Sequence, residues 1–320
     1  LILSAASKLY GAAAIVRRRW YEARPERARR LSRPVVSVGN LRAGGSGKTP
    51  AVAHIARELA VRGERPAILS RGYRRPAPAP GVTVVSDHST VLATFTAAGD
   101  EPLMLARALP GVPVLVGADR YQSGRVAEER FGATVHLLDD GFQHVQLARD
   151  VNLLLVDVAD LEDHVLPAGW LREPLSVAAA ADAVLVSSER PVAVEKVARQ
   201  LGVAAGFEIC RTLTGTPLSE PVFAVAGIAR PERFFSDLAR AGWRLASTMS
   251  FADHHVYRAA EVDRIVAAAR HAGASAVVTT EKDAVRFEAH RFQNMPLMTV
   301  PLRVSVEPAN VFVTWLVERL

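Results

Sequence analysis

A single cysteine, Cys210, stands among 320 residues. That excludes an internal disulfide framework and any zinc site built on several thiolates, and a reducing, cytosol-facing setting is the natural reading. The apolar stretch Leu1–Val16 falls short of the roughly 20 residues a bilayer-spanning helix needs. Lysine is scarce, four of the 39 basic residues, so a lysine inside a phosphate-binding pattern is less incidental. There is no Asn-Lys-x-Asp guanine signature, internal repeat or low-complexity tract. What remains is ordinary globular composition, 49% hydrophobic and 22% charged, in a chain long enough for two buried cores.

The net charge of +6 is concentrated at one end. Residues 1–33 carry nine Lys or Arg against Glu22 and Glu26, so the rest of the chain is close to neutral. A basic block beside an apolar stretch suits anionic lipid headgroups, whereas nucleic-acid binding favours a basic face across the folded body. Ile2, Ala6, Leu9, Ala13, Val16 and Trp20 recur at helical spacing on one face. The pattern predicts an interfacial helix with Arg17–Arg19 and Trp20 at headgroup level. A small-residue helix packed on the domain is the alternative. The charges follow the apolar run instead of preceding it, which argues against a cleaved signal peptide.

Residues 38–50, Val-Gly-Asn-Leu-Arg-Ala-Gly-Gly-Ser-Gly-Lys-Thr-Pro, follow an apolar strand and open an amphipathic helix, the setting a phosphate loop requires. Gly44, Gly45, Ser46 and Gly47 let backbone N–H groups close on phosphate oxygens. Lys48 would reach the β- and γ-phosphates of a nucleotide, and Thr49 would place its hydroxyl on Mg²⁺. Pro50 suits the first helical turn. Arg42 stands where the strict pattern has glycine; the competing reading is a glycine-rich turn with a chance Gly-Lys-Thr.

Short β-branched runs alternate with helical stretches from residue 34 onward. They predict an α/β fold, a P-loop NTPase-type α/β/α sandwich with a mostly parallel sheet covered on both faces. The expected core is 34–206 with a returning helix in 307–320, after the basic, apolar region 1–33. A second, smaller α/β/α unit spans 219–300. The extended stretches 207–218 and 301–306 form a two-stranded linker.

Asp139 and Asp140 end an apolar strand, where ligands of parallel sheets bind. One of them would hold Mg²⁺; Asp157, ending the next strand, competes for that role. The bland alternative for the pair is a strand-end turn. Asp100, in Gly-Asp-Glu-Pro, reads equally as a helix N-cap. His254 and His255 could form half a metal site, but no further ligands accompany them at metal spacing.

These segments together resemble the tetraacyldisaccharide 4'-kinase (lipid A 4'-kinase) family. Matching stretches run through nearly the whole chain: 38–50, Leu69–Arg74, Gly99–Pro102, Ala118–Arg120, Leu138–His144, Pro167–Pro174, Phe251–His255 and Thr280–Asp283. That family also lacks the first glycine of the loop. The resemblance implies transfer of the γ-phosphoryl group of ATP, with Mg²⁺, to the 4'-hydroxyl of a tetraacylated glucosamine disaccharide 1-phosphate in lipid A synthesis. It implies residence on the cytoplasmic face of the bacterial inner membrane, with the acylated lipid as partner, no nucleic acid and no obligate protein partner. By position, Asp100 resembles the general base, with His254 polarising it and Lys48 on the phosphates. Glu101, Asp139 and Asp140 lie near Mg²⁺, and Tyr73, Arg120, Gln143, His144, Arg172 and Glu173 line or adjoin the substrate site. It further implies a second domain that hinges over ATP as a lid. The rival reading is a P-loop ATPase or GTPase that drives a conformational or partner-maturation step.

Overall fold

The structure, a computed structural model, describes residues 2–45, 47–73, 75–188, 190–288 and 290–320; Ser46 and the side chain of Ile2 lie outside the described residues. Among the described residues, thirteen strands build two sheets: β1 (Val35–Asn40), β2 (Pro66–Ser70), β3 (Thr83–Ser86), β4 (Val114–Val116), β5 (Val135–Asp139), β6 (Val151–Asp157), β7 (Ala183–Ser187), β8 (Ala205–Leu213), β9 (Val222–Ala226), β10 (Leu245–Ser250), β11 (Ala276–Thr280), β12 (Leu297–Val300) and β13 (Leu302–Glu307). The larger sheet has the order β13-β8-β7-β6-β1-β5-β2-β4-β3, and the smaller β10-β9-β11-β12. Only β3 with β4 and β13 with β8 pair antiparallel; the other registered pairs run parallel.

Successive strand residues point to opposite faces, and here both faces are apolar. Ile68, Leu137 and Leu153 enter one cluster with Val52, Ile55 and Leu59 of the helix Lys48–Val61. Phe312 and Leu316 of the returning helix Ala309–Val317 join that cluster. Their neighbours Leu69 and Leu138 turn the other way, onto Ala127 of the helix Arg120–Phe131, while Leu154 packs with Phe142 and Leu171. Burial on both sides is why these strands read as continuous apolar runs.

The antiparallel pair β8 and β13, registered from Leu213 with Leu302 to Glu208 with Glu307, forms the edge of the larger sheet and leads into and out of the smaller one. The N-terminal helix runs from Ile2 to Glu22. Ser7, Gly11 and Arg18 are buried, whereas Leu9, Val16 and Trp20 on the opposite side are exposed at 74%, 66% and 38%. The helix therefore docks through its small and polar face and turns the apolar face outward. One expectation is corrected: Arg18 is not at the surface with Arg17 and Arg19 but is 4% exposed. Among the described residues no helix is long and apolar enough to cross a membrane.

Candidate active site

The glycine-rich loop leaves β1 at the centre of the larger sheet, with β5 on one side and β6 on the other. Gly44 and Gly47 adopt φ of +97° and +83°, a region closed to most side chains. Gly39 is required for a different reason. A Cβ there would lie 2.6 Å from the amide nitrogen of Phe142, so its absence lets the turn after β5 close on β1. Arg42 pairs with Asp160 (2.6 Å) and Asp163 (2.9 Å), and its guanidinium lies over Trp170. The arginine that replaces the usual glycine thus fastens the loop to the segment 160–170.

Lys48 Nζ donates to Asn40 Oδ1 at 2.9 Å and lies 3.6 Å from Asp140. Arg172 grips both oxygens of Asp140, at 2.7 and 2.9 Å, and also donates to Asn40 Oδ1 at 2.6 Å. These cations hold the Asp140 carboxyl well below the usual range against the opposing effect of burial. Asp140 takes φ +54°, a conformation seldom adopted outside glycine and concentrated at functional sites. Its neighbour Asp139 behaves oppositely. Burial, with Glu101 and Asp140 close by, pushes it up to about 7, and its Oδ1 is buried without a protein partner.

Asp100 is the first residue of the helix Asp100–Ala108, and Gly99 occupies the N-cap. Its carboxylate does not serve the first turn as an N-cap would, beyond accepting from the Glu101 amide at 2.9 Å. Instead Oδ2 receives the second unit: His254 Nδ1 at 2.9 Å and the Arg286 guanidinium. Burial alone would raise the Asp100 carboxyl, yet the His254 hydrogen bond and the charges of Lys282 and Arg286 hold it well below its ordinary value. Lys282 Nζ lies 3.1 Å from Glu101, 3.3 Å from Asp253 and 3.4 Å from His254 Nε2. Those carboxylates raise its pKa although burial opposes the charge. His254 sits at φ +62°, and Tyr73 meets its ring edge-on at 5.9 Å.

Two clefts converge here. One, of ≈ 160 Å³, is lined by Gly44, Gly45, Gly47, Lys48, Thr49 and Glu101 from the larger unit and by Arg233, Phe234 and Lys282 from the smaller. The other, of ≈ 1060 Å³, is lined by Tyr73, Arg120, Asp139, Asp140, Gln143, His144, Arg172 and His254. They share Gly44, Gly45, Lys48 and Glu101 of the larger unit and Ile228, Ala229 and Arg230 of the smaller. Asp100 lines neither and lies behind His254, 4% exposed. Glu173 is also off the cleft wall: it is 4% exposed, pairs with Arg18 at 2.9 Å and accepts from Gln143 at 3.1 Å. Asp157 is drawn elsewhere, paired with Arg230 and Arg233 of the smaller unit, both at 2.9 Å. His255 is held by Glu261 at 3.0 Å. Among the described residues no three acids, histidines or cysteines form a ready-made metal cluster. Mg²⁺ typically takes one or two carboxylates and keeps water and phosphate ligands. The orphaned Asp139 oxygen and the crowding of Glu101, Asp139 and Asp140 fit such a cation.

Sequence reasoning missed Lys282, Arg286 and Arg18. Lys282 fell inside a matching stretch, a usable signal; the other two carried none.

A sequence model of the tetraacyldisaccharide-1-P 4'-kinase family matches residues 1–320. A tetraacyldisaccharide 4'-kinase of Geobacter metallireducens is 44% identical over 298 residues, covering 89% of this chain and 88% of that protein. One from Halothermothrix orenii is 36% identical over 317 residues, covering 89% and 82%. Among solved structures, the enzyme of this family from Aquifex aeolicus in complex with ATP superposes with a TM-score of 0.77 at 30% identity, covering 98% of this chain and 96% of that one.

Proposed function

Because the chain belongs to the tetraacyldisaccharide-1-P 4'-kinase family, we propose how its residues share the work of that activity. The protein is a kinase of lipid A biosynthesis: it transfers the γ-phosphoryl group of ATP to the 4'-hydroxyl of a tetraacyl disaccharide 1-phosphate. The observation that carries the assignment of roles is the meeting of the two clefts at Lys48 and Glu101, with His254 on the wall of the larger.

ATP takes the smaller cleft, its terminal phosphates against Gly44–Gly47 and Lys48, and the disaccharide takes the larger. Phosphoryl transfer needs positioning and charge neutralisation more than covalent help. Lys48 neutralises the phosphates. Thr49, Glu101, Asp139 and Asp140 are the oxygen donors that would hold Mg²⁺, which would supply neutralisation of phosphate charge. Arg120 and Arg172 recognise acceptor phosphate, and Tyr73, Gln143 and His144 shape the sugar site. Glu173 acts from behind the wall, through Gln143.

The 4'-hydroxyl gives up its proton to the Asp100–His254 pair. His254 faces the acceptor cleft, and the buried Asp100 carboxylate orients it and stabilises the charge that develops. The smaller unit delivers His254, Lys282 and Arg286 as a set, consistent with a lid that completes the site on closing. The outward face Leu9, Val16 and Trp20, beside Arg17 and Arg19, supports a peripheral seat on an anionic membrane surface, the inner-membrane face where the lipid substrate resides. The roles are tested with purified protein, MgATP and disaccharide 1-phosphate, following the lipid product by mass spectrometry. His254→Ala should lose most turnover while still binding ATP; parental turnover would remove His254 from the chemistry.

A further inference from the structure

We propose that Arg18, on the N-terminal helix, is a positioning residue for the transfer, fixing the turn Asp140–His144 from behind the acceptor cleft. The inference rests on the roles proposed above for Asp140 at the cation site and for Gln143 at the sugar site. It makes the N-terminal helix a working part of the site in addition to any membrane role.

The helix docks on one face. Ser7 Oγ donates to the Val165 carbonyl at 2.5 Å, Gly11 fits against Pro174 so closely that a Cβ would meet its ring at 3.2 Å, and Ile15 packs with Leu41, Phe142 and Leu171. Arg18 completes this face. One nitrogen, Nη2, donates to Glu173 Oε2 at 2.9 Å and to the Phe142 carbonyl at 3.0 Å, and Nε reaches Glu173 Oε1 at 3.4 Å. The guanidinium also lies 4.5 Å from the Phe142 ring centroid. Both side chains of the pair are 5% exposed, so water screens them little.

From Arg18 the contacts run to the phosphate loop without a gap. Glu173 Oε2 accepts from Gln143 Nε2 at 3.1 Å, and the same nitrogen donates to the Asn40 carbonyl at 3.0 Å. Asn40 Oδ1 accepts from Lys48 and from Arg172, and Arg172 clamps Asp140. Arg18 therefore grips the turn at Phe142 directly and at Gln143 through Glu173. Arginine suits the position because its planar fork serves a carboxylate and a carbonyl together, which a lysine ammonium does less well. Losing the directly bonded cation from a buried Glu173 would be costly even with the Arg149 charge nearby, so the carboxylate relies on Arg18 to remain in place and hold Gln143.

The test measures transfer to detergent-dispersed acceptor, melting temperature and vesicle association for Arg18→Met, Arg18→Lys, Gln143→Ala and the double variant Arg18→Met/Glu173→Leu. Arg18→Met should lower kcat by about 10- to 100-fold, the scale of a small misplacement of reacting groups, with KM for ATP within about threefold. Vesicle association should be unchanged, since Leu9, Val16 and Trp20 are untouched. Arg18→Lys should recover part of kcat. The double variant discriminates positioning from simple stability, and it carries the test together with Arg18→Lys if Arg18→Met does not fold. With the Arg18–Glu173 pair removed as a whole, and Arg149 still on the Phe142 carbonyl at 3.1 Å, it should regain most of the melting temperature but keep the low kcat, because Gln143 has lost its Glu173 anchor. Recovery of both would reduce Arg18 to neutralising Glu173 and overturn the proposal. Parental kcat in Arg18→Met beside a defective Gln143→Ala would overturn it as well. Parental kcat in Gln143→Ala would instead remove the acceptor-side reading on which it stands.

Discussion

His254 Nδ1 lies 2.9 Å from Asp100 Oδ2, joining residues 154 apart in the chain and carried by units built on separate sheets. If the two work as one proton acceptor, their effects should not add. Asp100→Ala and His254→Ala are each expected to lower kcat by about 10²- to 10⁴-fold, and the double variant should be little worse than the poorer single one. Steady-state kinetics of the three proteins, with ATP affinity measured separately, check this; multiplicative losses would show independent roles.

Arg172 holds Asp140 in two hydrogen bonds and touches Asn40 as well. Lysine cannot reproduce that fork. Arg172→Lys is therefore expected to lower kcat/KM by about tenfold or more, equivalent to roughly 1.4 kcal/mol of transition-state stabilisation. Both arginines are placed to meet acceptor phosphate, so the penalty of Arg120→Ala should vanish when the acceptor lacks its 1-phosphate, whereas that of Arg172→Lys, which also loses the Asp140 clamp, should persist in part.

His144 is kept neutral across the physiological range. Burial, reinforced by Arg120 and Arg149, depresses its pKa to about 4 from 6.5. An unfolded chain binds this proton below 6.5 and the folded one does not, so the contribution to stability is full above 6.5 and is lost as the pH falls towards about 4. Denaturant titrations across that window should show a shallower pH dependence for His144→Gln. In Arg120→Met the imidazole should titrate closer to its ordinary value, read by NMR.

The exposed side of the N-terminal helix gives a prediction about location. Replacing Leu9 and Val16 together by serine should weaken binding to anionic vesicles by several-fold, at about 25 cal/mol per Å² of apolar surface withdrawn, without lowering kcat in detergent. Sedimentation with vesicles decides it. Unchanged association would dismiss this face as a membrane contact.

The fold was legible because its strands are buried on both faces, so short apolar runs alternating with amphipathic stretches mark a mostly parallel α/β sheet from residue 34 onward. The site was legible where backbone dictates residue type, as at Gly44 and Gly47. Arg286 could not be found that way. It reaches Asp100 across 186 residues, and nothing around it distinguishes it from any other arginine in the last turn of a helix. Arg18 misled for a related reason: in Arg17-Arg18-Arg19 the three side chains look alike, and only the angle at which the helix docks sends the middle one inward.

The smaller sheet hangs from the larger by two strands, β8 and β13, zipped to each other along their length. A single-chain tether would let the distal unit tumble; a hydrogen-bonded ribbon resists twisting and shearing and yields mainly by flexing across its plane. In the lid reading proposed above, the three side chains His254, Lys282 and Arg286 would thereby be confined to one arc of approach towards Asp100 and Glu101, which turns a search over orientations into a search along a line.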